Sequence, residues 1–317
     1  MEPALSELEF SGCYARPMTV AEYEEYEGRI EFFDSRAGIA WLTREAAHFP
    51  HERPLNMLGP LLREIAMTRG SQIICGGMAE IRRTFPDGQT RRIQPDQMVY
   101  LDPTTLERAG PQYLTAREDP TPDVVVEVDS TTDVRRNRLK LYEAWGFPEV
   151  WVEVPNAYAP SRPAGLRPGL TIHQLEAGRY VRSQTSRAFP GWQADEIHRA
   201  LNEPVISEET SKILSRVGRA LGEREGTGPE DDPLLRTQRA EGRAEGRATG
   251  RAEERAELAR AMLAGRGIAV SPDFPSRSCR AALATASAAA IVSAASAASS
   301  ESEFVARLAG DPSPAGD

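Results

Sequence analysis

Apolar residues in the first part of the chain recur first with strand-like spacing around a turn and then with helical spacing. The run RIEFFDSRAGIAWLT has aromatic and aliphatic residues on both sides of Asp34, Ser35 and Gly38, which predicts a β-hairpin. A long helix is expected over Pro54–Arg69, because its apolar residues fall at helical spacing: Leu55, Leu58, Leu61, Leu62, Ile65 and Ala66.

The middle of the chain reads as a mixed sheet with a crossover. Strands are predicted at SQIICGG, MAEIRRTF and TRRIQPDQMVYL, with a turn at Pro86–Gly88 between the last two. Three valines, Val124–Val126, then lead into Glu127, which is typical of a buried strand that carries a charge. A helix, TTDVRRNRLKLYEAWG, and another buried strand, PEVWVEVP, follow and indicate a right-handed crossover. The predicted fold class is therefore α/β, a mixed β-sheet core flanked by helices.

The composition of the chain divides it into five segments. Residues 1–16 are expected to form a loose leader, 17–204 the main domain and 205–235 a polar linker. Residues 236–265 carry a four-residue repeat with arginines at 239, 243, 247, 251 and 255, and are expected to form a charged helical C-terminal extension. Residues 266–317 are an Ala/Ser-rich tail with room for a short helix pair.

The charge of the repeat argues against a tail that coats nucleic acid. From Arg236 to Glu257 there are six arginines and five glutamates, a net charge of 6 − 5 = +1. A solvated helix with ion pairs between residues i and i+4 is therefore the favoured interpretation, and such a helix could carry a coiled-coil contact with a protein partner.

The whole-chain composition indicates a soluble protein of the cytoplasm. No apolar run is long enough to span a bilayer, so no membrane association is expected. The 3 cysteines are odd in number and widely spaced, which fits a reducing compartment better than a disulfide framework. The net charge of −9 leaves room for local contact with nucleic acid, because phosphate binding depends on the local patch.

Two acidic residues in the predicted sheet need an explanation. Asp96 follows Pro95 at the end of one strand, and Glu127 lies inside the next buried strand. An ionised carboxylate in such a place is costly unless it is paired or bound to a cation. Two converging carboxylates suit Mg²⁺, whereas an ion pair of Glu127 with Arg135 or Arg138 explains the same residue without a metal. From spacing alone, both interpretations stay open.

The complete pattern is more specific than the spacing of the two acids. It consists of a Pro-Asp pair, an acid inside a Val-Val-Val-Glu-Val strand and a basic helix after that strand, and it resembles the PD-(D/E)xK nuclease superfamily. Within it, residues 17–204 resemble the Uma-two family of restriction endonucleases, most closely at VVVEVDSTTDVRRNRLKLYEAWGFPEVWVEVP, EYEEYEGRIEFFD and RIQPDQMVYL. The resemblance implies that Asp96 and Glu127 ligate Mg²⁺ or Mn²⁺, with Glu31 as a third acidic ligand. It also implies that Gln94 orients water beside the site. DNA is the implied substrate, and Arg135 and Arg136 are candidates for its phosphates.

The chain departs from the motif at its lysine. The position two residues after the acid is Asp129, and in the Uma-two family the lysine is expected on the following helix. Counted back from Tyr142, its place is taken by Arg138, with Lys140 the alternative if the helix is shifted. The two residues lie about 200° apart around a helix, so only one of them can face the site. An arginine stabilises phosphate charge but is a poor proton-transfer group.

Two functions from different classes therefore follow. The first is a metal-dependent DNA endonuclease. The resemblance is compatible with a homodimer, because nucleases of this fold usually need two active sites for a double-strand cut. The alternative is a catalytically impaired nuclease fold that binds DNA or takes part in assembly. His48 and His51, in HFPHERP, are expected to cap the long helix rather than serve the site, and Trp145 and Trp151 are expected in the core.

Overall fold

The computed structural model describes residues 3–8, 10, 13–43, 49–77, 79–105, 113–129, 138–157, 162 and 165–310. The chain divides into two compact units, Met1–Leu235 and Arg236–Asp317. Across those described ranges, no helix is both long and apolar enough to cross a membrane.

The first unit is a mixed α/β fold. Its strands are β1 (Cys13–Pro17), β2 (Ile30–Asp34), β3 (Ile39–Thr43), β4 (Ile74–Cys75), β5 (Glu80–Thr84), β6 (Thr90–Ile93), β7 (Gln97–Tyr100), β8 (Tyr113–Thr115), β9 (Val124–Val128), β10 (Glu149–Val154), β11 (Gly169–Glu176) and β12 (Arg179–Ser183). Among the described residues they form two six-stranded mixed sheets, in the orders β1-β3-β2-β6-β5-β8 and β12-β11-β10-β9-β7-β4. The helices are a 3₁₀ turn at Leu5–Glu7, α1 (Val20–Glu24), α2 (Phe49–Arg69), α3 (Arg138–Trp145), α4 (Ala194–Asn202) and α5 (Glu208–Glu225).

The predicted hairpin and crossover are both confirmed. Strands β2 and β3 pair antiparallel with Asp34 opposite Ile39, and Gly38 takes a left-handed φ of +62° in the turn between them. Strands β9 and β10 pair in parallel with Glu127 opposite Val152, and α3 lies between them in the chain. The α/β fold class with mixed sheets and flanking helices is therefore confirmed.

The hydrophobic core lies on both faces of the second sheet. Val124 and Val126 pack in one cluster with residues of α2, α4 and α5, whereas Val125 packs in another cluster with residues of α3. Residues two apart on a strand share a face, so Glu127 lies on the face of Val125, toward α3. A carboxylate is thereby placed inside the layer between the sheet and this helix.

Two segments expected to lie outside the fold belong to the first unit instead. In the expected leader, β1 pairs with β3, and Phe10 stacks on Phe32 with ring centroids 5.0 Å apart. In the expected linker, α5 buries Leu214, Val217 and Leu221 in the same core cluster as α2. The three apolar residues of α5 are spaced by three and four positions and so lie on one face of the helix. Burial of that face holds α5 against the core.

The second unit is helical. The expected charged helix is present as α6 (Pro233–Gly265), and the tail contains α7 (Arg277–Thr285), α8 (Ala288–Ala297) and α9 (Glu301–Gly310) where a helix pair was expected. These helices bury a cluster of their own that includes Leu263, Phe274, Ile291 and Phe304. The alanine-rich tail can form this cluster because small side chains allow close helix packing around a few larger ones.

The close packing of α5 on α2 makes a testable prediction about Gly218. A Cβ at this position would lie 2.7 Å from the Ile65 carbonyl oxygen and 2.7 Å from Thr68 Cβ. Gly218→Ala should therefore lower the free energy of unfolding by about 1–3 kcal/mol, despite the higher helix propensity of alanine. Denaturant unfolding followed by tryptophan fluorescence measures this, because all 4 tryptophans lie in the first unit.

The matched control is Gly59→Ala on the exposed side of α2, where a Cβ would meet nothing within 4 Å apart from its own chain neighbours. Pro60 follows and disfavours the helical conformation for a preceding residue with a Cβ, which offsets the higher helix propensity of alanine, so the free energy of unfolding should change by less than about 1 kcal/mol. Equal effects of the two substitutions would contradict the packing of α5 on α2.

Candidate active site

Three acidic side chains from different strands meet beneath α3. Glu31 lies on β2, Glu127 lies on β9, and Asp96 lies where the chain passes from β6 of the first sheet to β7 of the second. The pairing of Gln97 with Val126 brings Asp96 beside Glu127, and the backbone N–H of Val128 donates to Asp96 Oδ2 at 2.8 Å. The three residues are only 3%, 3% and 1% exposed, in the order Glu31, Asp96, Glu127. Carboxylates this deeply buried need cations close by.

Arg138 is the cation that joins two of these carboxylates. Its Nη1 donates to Glu127 Oε2 at 2.6 Å, and its Nη2 lies 2.8 Å from Glu31 Oε2. The arginine begins the described part of α3 and is itself 1% exposed. One helical turn later, the hydroxyl of Tyr142 donates to Glu127 Oε1. Both oxygens of Glu127 are therefore engaged by side chains of α3.

Asp96 has a separate set of partners. Arg29 Nη2 lies 2.6 Å from Asp96 Oδ1, and His51 Nε2 lies 3.3 Å from Asp96 Oδ2. Burial alone would raise the pKa of Asp96, but the hydrogen bond with His51 and the charges of His51, Arg138 and Arg29 hold it well below its usual range. Asp96 is therefore ionised at neutral pH.

Glu127 shows the opposite balance. Burial and the negative charge of Asp96 raise the pKa of Glu127, while Arg138 and the hydrogen bond from Tyr142 lower it, and together these effects bring the pKa to about 7. The raised pKa shows that the ionised form of Glu127 is costly in this buried layer even with Arg138 in contact with it. An additional cation would be favourable here.

The geometry distinguishes between the two basic residues of α3. Arg138 faces the carboxylates, whereas Lys140 is exposed and donates from Nζ to the carbonyl oxygen of Glu7 at 2.7 Å. Gln94 is half-buried between β6 and β7. Arg135, Arg136 and His48 lie outside the described residues.

Three residues of the cluster were not expected to belong to the site. His51 was interpreted as a capping residue, but it lies in the first turn of α2 and contacts Asp96. Arg29 lies two residues before Glu31, so strand spacing could have placed the two on the same face. Tyr142 lies four residues after Arg138, so helical spacing could have placed these two on the same face of α3. No local signal in the sequence links His51 to Asp96.

The chemistry of these donors fits a hard divalent cation, because Mg²⁺ binds through carboxylate oxygens. In their present arrangement, however, no group of three or more His, Cys, Asp or Glu side chains among the described residues is placed to hold a metal ion. The carboxylate oxygens contact Arg138, Arg29 and His51 instead. The donors have the right chemistry for a divalent cation, but in this arrangement Arg138 occupies one oxygen each of Glu31 and Glu127.

The contrast between Arg138 and Lys140 makes a prediction about stability. Arg138→Ala leaves two buried carboxylates without their shared counter-ion and should lower the free energy of unfolding by about 3–5 kcal/mol. Lys140→Ala removes an exposed side chain and should change it by less than about 0.5 kcal/mol. Tryptophan fluorescence during denaturant unfolding gives both values. Similar small effects of the two substitutions would contradict the buried bridge.

The comparison with known families agrees with the fold. The search of curated protein sequences found no match. Residues 20–204 match the family model Uma2, described as "Putative restriction endonuclease". This match covers more than half of the chain and contains Glu31, Asp96, Glu127 and Arg138. The chain therefore belongs to the Uma2 family, within the PD-(D/E)xK nuclease superfamily.

Proposed function

We propose that this chain is a Mg²⁺-dependent DNA endonuclease whose catalytic centre consists of Glu31, Asp96, Glu127 and Arg138. The observation that carries the proposal is the buried bridge from Arg138 to Glu31 and Glu127, with the buried carboxylate of Asp96 beside Glu127. Buried carboxylates of this kind are costly to a fold, and they are retained where they bind cations or perform chemistry. Family membership supplies the reaction class, hydrolysis of a phosphodiester bond.

In the proposed site, the three carboxylates hold Mg²⁺, with Mn²⁺ as a substitute. When bound, the metal would supply a water of lowered pKa and would neutralise negative charge on the phosphate. The guanidinium of Arg138 binds a phosphate oxygen and stabilises the developing charge. His51 and Arg29 act as positioning residues, because their contacts with Asp96 fix its orientation. Arg138 cannot act as a general base, because its guanidinium does not deprotonate in proteins.

The remaining roles extend this proposal to the substrate. Gln94 is proposed to orient water beside Asp96, and Arg135 and Arg136 to bind the DNA backbone before α3. A homodimer would supply two such sites for a double-strand cut, and the charged helix α6 is the proposed contact for a protein partner. We propose the cytoplasm as the location.

One observation favours the second candidate function, a catalytically impaired DNA-binding or assembly module. The position expected to carry the lysine carries Arg138, whose side chain already bridges two of the proposed metal ligands. Such a protein would keep its affinity for DNA phosphates while cutting slowly or not at all.

Incubation of the full chain with supercoiled plasmid and Mg²⁺ or Mn²⁺ tests the proposed function. The wild type should nick the plasmid, and EDTA should stop it. Asp96→Asn and Glu127→Gln keep the side-chain size while removing a charged ligand, so each should lower the cleavage rate by about 100-fold or more. Lys140→Ala is the matched control, since Lys140 faces away from the carboxylates, and it should cleave at the wild-type rate.

Different outcomes separate the two candidates. Cleavage that persists in both Asp96→Asn and Glu127→Gln would contradict the site. If the wild type cuts with neither metal but retards DNA on a gel in EDTA, the binding module is the correct function.

A further inference from the structure

Arg138 and a divalent cation require the same oxygen atoms. The nitrogens of Arg138 lie 2.6 Å from Glu127 Oε2 and 2.8 Å from Glu31 Oε2. Mg²⁺ binds carboxylate oxygens at about 2.0–2.1 Å and demands near-octahedral geometry. A planar guanidinium that occupies one oxygen of each carboxylate therefore competes for those two oxygens with a metal ligated by both residues.

The shape of the arginine strengthens this competition. Its two terminal nitrogens contact two different carboxylates at once. A guanidinium holds these nitrogens in a fixed planar fork, a geometry that a lysine ammonium lacks. The bridge is buried from solvent, with Arg138, Glu31 and Glu127 all nearly inaccessible, so water weakens it little. A metal must break both contacts before both carboxylates can bind it.

We propose that Arg138 is an internal competitor of the divalent cation, which closes the site in the metal-free protein and sets its affinity for metal low. This inference rests on the proposed function, since it concerns the same carboxylates. It assigns to Arg138 a role in metal affinity that is separate from any contact with DNA. Removal of the guanidinium should convert an arginine-stabilised cluster into one that depends on a metal.

The test is Mn²⁺ binding to the full chain without DNA, measured by electron paramagnetic resonance of free Mn²⁺. Arg138→Gln should bind Mn²⁺ at least about 10-fold more tightly than the wild type, because the ion no longer competes with a buried positive charge. Its thermal midpoint should be low in EDTA and rise with Mn²⁺ by more than that of the wild type, as expected for a ligand that binds only the folded state. Arg138→Lys keeps a positive charge and gives a second measurement if Arg138→Gln folds poorly. It should bind Mn²⁺ more tightly than the wild type, by a smaller factor.

Arg91→Gln is the matched control. Arg91 also forms a buried ion pair, with its Nε 2.8 Å from Asp34 Oδ2, but it does not contact the three carboxylates. This variant should lose thermal stability in EDTA without gaining affinity for Mn²⁺. In the double variant Arg138→Gln/Glu127→Gln, the gain in affinity should disappear, because one ligand is lost.

Two results would overturn the inference, and only the second of them would also overturn the proposed function. If both Arg138 variants bind Mn²⁺ with wild-type affinity, Arg138 does not compete, while metal binding and plasmid cleavage by the wild type still support the nuclease. If neither variant binds Mn²⁺ and the wild type does not cleave, the metal site itself is wrong and both proposals fail together.

Discussion

The buried bridge from Arg138 to Glu31 and Glu127 is the interaction on which the rest of the first unit depends. It connects β2 of one sheet, β9 of the other and the first turn of α3 through a single side chain. Each carboxylate would be costly in that layer without a counter-ion. The same interaction therefore joins the two sheets through the helix above them and collects the acidic residues into a candidate active site.

The positively charged side chains around the cluster determine how readily Asp96 and Glu127 ionise. Asp96 is stabilised as a carboxylate by Arg29 and His51, whereas burial raises the pKa of Glu127 to about 7 even beside Arg138. In the proposed account, one more cation would be favourable in this site, and the bridge from Arg138 occupies the carboxylates when that cation is absent.

The sequence predicts much of this arrangement where local patterns suffice. The hairpin of β2 and β3 and the crossover through α3 follow from alternation and helical spacing, and counting back from Tyr142 correctly places Arg138 rather than Lys140 toward Glu127. The contact of His51 with Asp96 was not predicted, because it joins positions 45 residues apart through tertiary packing. The packing of β1 and α5 was not predicted either. Each segment has few apolar residues, and the strand and helices on which they pack lie far away in the sequence.

The measurement that tests this account most directly is the anomalous diffraction of crystals of the full chain grown with Mn²⁺. The account predicts an anomalous peak bound by the carboxylates of Glu31, Asp96 and Glu127, with the guanidinium of Arg138 no longer within hydrogen-bond distance of Glu127. A crystal saturated with Mn²⁺ that has no peak among these carboxylates, and in which Arg138 still bridges Glu31 and Glu127, would contradict it.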